Sequence, residues 1–281
     1  MDAKIKLALE KQANEIRKDV VSAVHSAKSG HPGGSLSLTD TLTYLYFYKM
    51  NVNPENPKDP DRDRFVLSKG HTAPALYSVL AEKGYFDKAE LLKLRKTGAM
   101  LQGHPDMKGT PGVDMSTGSL GQGVSTAVGM ALGGKISNKS YTVYTALGDG
   151  EIQEGQVWEA AMAAAHYKLD NLVAIVDNNN LQIDGKVSDV MSVYPITDKF
   201  RAFGWNVTTC DAHDFDSIDA AFEMTKEKNG KPWVIVQKSI KGKGVSFMEN
   251  EAKWHGSAPN DEQYEIAMAD LAKIDEELEA K

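Results

Sequence analysis

"YTALGDGEIQEG" (Tyr144–Gly155) decides how this 281-residue chain folds. A β-branched and aromatic run, "YTVYTAL" (141–147), enters Gly148-Asp149-Gly150, and the helical pattern "QVWEAAMAAAHYK" (156–168) follows. A second apolar run, "NLVAIVD" (171–177), then ends in "NNNLQIDG" (178–185). Strand, tight turn, helix and strand in that order describe a parallel pair, because parallel strands need a crossover connection. "WNVTTC" (205–210) and "PWVIVQK" (232–238) continue the series, with the helical "FDSIDAAFEMTKEK" (215–228) between them, and "RFVLS" (64–68) is a further short strand. The alternation predicts an α/β domain in which a parallel sheet of about five strands is covered by helices on both faces.

The first half reads as mostly helical. A long amphipathic helix is expected over residues 3–28, and a second in "LSLTDTLTYLYFYKM" (36–50) with Ser37 or Thr39 as its cap. Shorter helical pieces are expected at 73–83 and 87–95, and a charged helix in the tail from 258. "TGSLGQGVSTAVGMALGGK" (117–135) reads as a loop feeding a small-residue helix that packs closely on its neighbours. With no internal repeat or low-complexity linker, residues 1–281 are read as one domain.

Composition excludes several classes. Hydrophobic residues make up 41% and charged residues 25%, the balance of a globular protein. The formal net charge of -7 offers no concentrated basic face, so no nucleic-acid partner is expected. The single cysteine, Cys210, excludes an internal disulfide and a cysteine-based zinc site, and favours a reducing, cytoplasmic setting. The N-terminal "MDAKIKLALEKQANEIRKDVVSAV" mixes charges into a helical period, so neither a secretory signal nor a membrane span is expected.

In open parallel sheets, ligands sit beyond the carboxyl ends of the strands. Gly148-Asp149-Gly150 lies at such an end, where glycines allow close backbone approach and the next helix offers its N-terminus to an anion. Asp149 and Asn179 are 30 residues apart, the length of one strand-helix-strand unit, which sets a carboxylate beside an amide oxygen at neighbouring strand ends. Oxygen donors beside a helix N-terminus suit magnesium bridging to a diphosphate. The plainer reading, a tight turn and an asparagine-rich loop, accounts for either feature alone but not for their spacing. Two nucleotide readings fail: no strand leads into "GSLGQG" (118–123), and no Lys-Ser/Thr follows "KGKG" (241–244).

Three of seven histidines lie in Gly/Pro loops, "SGHPGG" (His31), "SKGHTAP" (His71) and "QGHPDM" (His104), and a fourth in "KWHGSAP" (His255). One such histidine is an ordinary surface residue; four suggest a converging group able to donate to phosphate oxygens or handle protons. A zinc site built from them lacks any short ligand spacing. His166 and His213 are read as structural.

"GDGEIQEG" followed by "DNNNLQIDG" resembles the thiamine-diphosphate motif, and with "SGHPGGSL", "SKGH", "GHP", "TGSLGQG" and "WHGSAP" the chain from about Lys18 to Asp261 resembles the N-terminal part of transketolase. The resemblance implies that Asp149, the Asn179 side chain and the Leu181 carbonyl bind magnesium, with calcium or manganese as substitutes. Gly150, His71 and His255 would hold the diphosphate, Gly118, Ser119 and Leu120 the aminopyrimidine end, and Lys241 would line the cofactor and substrate entrance. His31, His104 and His255 would hydrogen-bond substrate hydroxyls and move protons. Glu154 would be the interface glutamate that communicates with the opposite active site, while Glu151 matches nothing functional.

Transketolases continue into a pyrimidine-binding domain and a C-terminal domain; this sequence ends soon after "WHGSAP". The expectation is therefore the N-terminal subunit of a two-subunit enzyme, a heterotetramer with two copies of each subunit, active only with its separate C-terminal partner. Its implied reaction moves a two-carbon ketol unit from xylulose 5-phosphate to ribose 5-phosphate or erythrose 4-phosphate, in the pentose phosphate pathway. Alternatives are a deoxyxylulose-phosphate synthase-like or apiose-pathway transketolase-like subunit, and a non-catalytic structural or regulatory partner, which would show erosion of the site.

Overall fold

The computed structural model describes residues 1–281. Its strands are β1 (Arg64–Leu67), β2 (Val143–Gly148), β3 (Leu172–Asn178), β4 (Leu181–Gln182), β5 (Gly185–Lys186), β6 (Asn206–Asp211) and β7 (Trp233–Lys238). The helices are α1 (Ala3–Ala27), α2 (Pro32–Tyr44), α3 (Ala73–Lys83), α4 (Gln122–Ile136), α5 (Gly155–His166), α6 (Val187–Val190), α7 (Ile196–Ala202), α8 (Phe215–Met224) and α9 (Asp261–Glu279). Five strands form one sheet in the order β1-β2-β3-β7-β6, every pair parallel, as the sequence pattern predicts. The antiparallel β4-β5 hairpin falls within the segment read as an asparagine-rich loop.

Successive residues of β3 enter different cores. Val173 and Ile175 join the layer formed with α1, α2, α3, α8 and α9, whereas Leu172, Ala174 and Val176 join that of α4, α5 and α7. Burial on both faces explains why the strands are continuous apolar runs rather than alternating ones. The chain crosses β1, β2 and β3 in sequence, jumps to the far edge as β6, and returns inward as β7 by way of α8 on the opposite face. That reversal puts a crevice at the carboxyl ends of β3 and β7, where such sheets bind ligands.

α1 matches its expected span, with the Asp2 side chain accepting from the Lys4 and Ile5 N–H groups. α2 departs from expectation: it starts at Pro32 after His31, not at Ser37 or Thr39. Proline at the first helical position has its φ already set and needs no hydrogen bond for its missing N–H. Ser37 and Thr39 lie inside the buried helix, where their hydroxyls donate back to the carbonyls of Gly34 and Ser35. Two glycines in the first turn hid this start. Gly33 is needed there because a Cβ would stand 2.7 Å from the Trp254 carbonyl oxygen. The expected helix at 87–95 is a single tight turn, Lys88–Lys93, capped by Asp87. No helix is long and apolar enough to cross a membrane.

Candidate functional site

A cleft of about 290 Å³ opens at the carboxyl ends of β2 and β3. Four helices of ordinary length begin around it. His31 caps α2, His71 lies in the turn before α3, Gly118 and Leu120 precede α4, and Glu154 caps α5; all five residues line the cleft. Helix N-termini present unpaired N–H groups and a partial positive charge, so this cleft is built to receive an anion.

β2 and β3 pair in register, Gly148 against Asp177, and Asp149 N–H donates to the Asp177 carbonyl. Asp149 and Asn179 therefore lie at adjacent strand tips. The Asp149 carboxylate accepts from the N–H groups of Gly150 and Asn180. Asn179 Oδ1 accepts from Leu181 N–H at 3.0 Å, and the Leu181 carbonyl accepts from Lys241 Nζ at 3.2 Å. A carboxylate, an amide oxygen and a peptide oxygen lining one cleft form a donor set that fits a hard divalent cation. Burial, reinforced by Asp177, pushes the Asp149 carboxyl up to about 6, an environment that favours a compensating positive charge.

The four loop histidines do converge. Ring centroids of His31 lie 5.3 Å from His71, 5.6 Å from His255 and 6.4 Å from His104, and His71 stacks on His255 at 5.0 Å. Burial, with Arg95 next, brings His31 down to about 4, and burial with Lys241 brings His255 down to about 3. Burial and Lys69 hold His71 well below the usual histidine range, and burial and Arg95 lower His104. The cluster is thus neutral near pH 7, a set of uncharged donors and acceptors. Burial, then Lys69, brings the Lys241 ammonium down to about 8, and its Nζ donates to His255 Nδ1 at 3.0 Å.

Of the candidates, all but His104 and Ser119 line this cleft. The His104 ring stands behind Gly118, 3.2 Å from where a Cβ on that glycine would lie, and Ser119 is exposed. The Glu154 side chain is exposed and pairs with nothing in the chain. His166 is exposed at the end of α5, whereas His213 is a strut: its Nδ1 bonds Asp40 at 2.7 Å and its Nε2 accepts from Ile240 N–H at 2.9 Å.

Sequence reasoning missed the floor of the cleft. Asp177 is buried and accepts from Lys69 Nζ, Ser37 Oγ and Ser239 Oγ. Burial alone would raise its pKa, but the Lys69 ammonium outweighs it and holds the carboxyl below the usual range. Glu151, for which no function was expected, is buried too; its carboxylate accepts from Ser68 Oγ and from the N–H groups of Gly121 and Gly148. It ties the glycine loop before α4 to the Gly-Asp-Gly turn. A glutamate and a lysine placed directly beside the two glycine turns, Glu151 after "GDG" and Lys69 before "GH", were the available signal.

A family model described as transketolase, thiamine diphosphate binding domain, matches residues 9–273. A 6-deoxy-6-sulfo-D-fructose transketolase subunit from Clostridium sp. (strain MSTE9) is 48% identical over 265 residues, covering 94% of this chain and 96% of that protein. One of the subunits of an apulose-4-phosphate transketolase from Phocaeicola vulgatus is 45% identical over 271 residues, 96% of each chain. Among solved structures, a transketolase from Campylobacter jejuni superposes with a TM-score of 0.89 at 35% identity; the match covers 97% of this chain and 43% of that one.

Proposed function

Because the chain belongs to the transketolase family, matching its thiamine-diphosphate-binding domain, we propose that it is the diphosphate-binding subunit of a two-subunit, magnesium-dependent transketolase. The observation that carries this reading is the meeting of the Asp149 and Asn179 strand tips with four helix N-termini around a histidine cluster. Thiamine diphosphate, when bound, supplies the carbon nucleophile and electron sink that ketol transfer needs. Asp149, Asn179 Oδ1 and the Leu181 carbonyl hold magnesium, which competes with Lys241 for the last of these oxygens. Gly150, His71 and His255 hold the diphosphate, and Gly118, Ser119 and Leu120 meet the aminopyrimidine end. His31, His104 and His255 orient substrate hydroxyls and move protons over hydrogen-bond distances.

Residues 1–281 form the diphosphate-binding unit in this reading, and a separate chain supplies the pyrimidine-binding part in a heterotetramer, two copies of each. Two supports favour a partner. The relatives named as subunits are matched over 96% of their own lengths. The cleft rim also exposes apolar side chains, Leu120 and Ile183, beside the unpaired Glu154. The lone buried Cys210 fits a cytoplasmic setting.

The donor is a ketose phosphate, xylulose 5-phosphate, with ribose 5-phosphate or erythrose 4-phosphate as acceptor, in the pentose phosphate pathway. The names of the two subunit relatives favour a second reading, in which the donor is 6-deoxy-6-sulfofructose or apulose 4-phosphate. A donor panel run on the assembled complex separates the two. The chain alone is expected to show no ketol transfer, with activity appearing on mixing with its partner; turnover by the purified chain alone refutes the split. Asp149→Ala is expected to abolish magnesium-dependent binding of thiamine diphosphate, and unchanged calorimetric binding to the assembled complex refutes the site.

A further inference from the structure

Two cations each address one imidazole of the cluster. Lys241 Nζ bonds His255 Nδ1, and Arg95 Nη2 bonds His31 Nδ1 at 3.4 Å. Arg95 belongs to none of the sequence motifs, yet it is held with unusual care. Its backbone is left-handed, φ 61°, which is uncommon for a residue with a Cβ, and its N–H donates to the Leu101 carbonyl at 2.8 Å. Its Nη1 donates to Ser29 Oγ at 3.1 Å, and Nη2 reaches the Gly103 carbonyl at 3.4 Å. A Cβ on Gly103 would lie 3.1 Å from the guanidinium carbon, so this glycine makes room for the group.

Arginine has only donors and keeps its charge throughout the working pH range. A ring nitrogen that bonds to it must offer a lone pair. His31 Nδ1 is therefore unprotonated, and in the neutral ring the proton sits on Nε2. The titratable neighbours of this ring are Arg95, Lys241, His71, His104 and His255, and burial, Arg95, His104 and Lys241 all disfavour a second proton.

We propose that Arg95 is a positioning residue that holds His31 as its Nε2–H tautomer, so that His31 meets the substrate as a hydrogen-bond donor to an oxygen and not as a base. The substrate half of this statement rests on the transketolase reading; the tautomer does not. The test is long-range proton–nitrogen NMR on the full chain carrying nitrogen-15 histidine, with the His31 resonance assigned by its loss in His31→Gln. The wild-type chain is expected to show the Nε2–H pattern at His31 from pH 8 down to 6. Arg95→Lys keeps it, whereas Arg95→Gln gives mixed tautomers and moves His31 protonation up toward the ordinary histidine range. In the assembled complex Arg95→Gln is expected to lose roughly tenfold in kcat/KM, the scale of one charge-assisted hydrogen bond, to shift the acid limb of the pH profile upward, and to leave cofactor affinity unchanged.

An Nδ1–H pattern in the wild-type chain overturns the assignment whether or not the variants fold. So does a folded Arg95→Gln whose His31 tautomer and titration match wild type. The expected tautomer together with a complex that transfers no ketol unit sinks the transketolase reading and leaves the pinning of His31 by Arg95 standing.

Discussion

Lys69→Met removes the ammonium from the cleft floor while keeping much of its length. Both side chains of the Lys69–Asp177 pair are almost fully covered, 2% and 1% exposed. The variant leaves Asp177 with two hydroxyl donors, Ser37 and Ser239, and no counter-charge. Stranding a buried charge costs about 3–5 kcal/mol, and the remaining hydroxyls place the expected loss at the lower end, about 3 kcal/mol. For a chain of this size that is roughly 6–12 °C of melting temperature. Lys69→Met/Asp177→Asn removes the orphaned charge and is expected to return to within about 1 kcal/mol of wild type, because replacing both partners of a buried pair is often neutral. The assay is urea unfolding followed by circular dichroism, with EDTA and without cofactor, at pH 7.5 and 5.5. In wild type the Asp177 pKa is depressed, so its contribution is present above the unfolded carboxyl value of about 3.9 and disappears as pH falls through the folded value. Without Lys69, burial raises that pKa instead. The variant's deficit is then largest at pH 7.5 and shrinks at 5.5. A single variant within about 0.5 kcal/mol of wild type, or a double variant no better than the single, refutes the reasoning.

Burial pushes the Asp19 carboxyl up to about 7 despite its contact with Lys88 at 2.9 Å, and Glu82 adds to the rise. A carboxyl with a raised folded pKa costs nothing below the unfolded value and its full penalty above the folded one. Asp19→Asn is therefore expected to stabilise the chain by about 1–3 kcal/mol at pH 8 and to make no difference at pH 4; destabilisation at pH 8 in urea titrations overturns this. Gly123→Ala puts a Cβ 2.5 Å from the Ser68 Cα, where only backbone movement relieves the clash. The loss is expected at about 1–3 kcal/mol, outweighing the gain of about 1 kcal/mol in helix propensity, and a thermal melt showing stabilisation disproves the close approach.

The parts of the site that could be read from the sequence are those that face a ligand. Asp149, Asn179 and the four histidines sit in glycine- and proline-marked turns at strand and helix ends, and local pattern marks such turns. The sheet was legible for a related reason: strands buried on both faces are unbroken apolar runs. What holds the ligand-facing groups in place is written across long separations. Lys69 and Asp177 are 108 residues apart and meet only once β1 and β3 lie in one sheet. Ser37 looks like a helix cap in sequence, yet in the fold it is the second donor to Asp177, because α2 starts five residues earlier and runs buried past the sheet. Glu151 stands two residues from Asp149 with the opposite task, since its neighbour reaches the cleft with free lone pairs whereas its own oxygens are taken up by Ser68, Gly121 and Gly148. Arg95 extends the pattern to the histidines. The motif names the imidazole, but the proton position that decides what the imidazole does is set by a cation 64 residues away in sequence, which no spacing rule reaches.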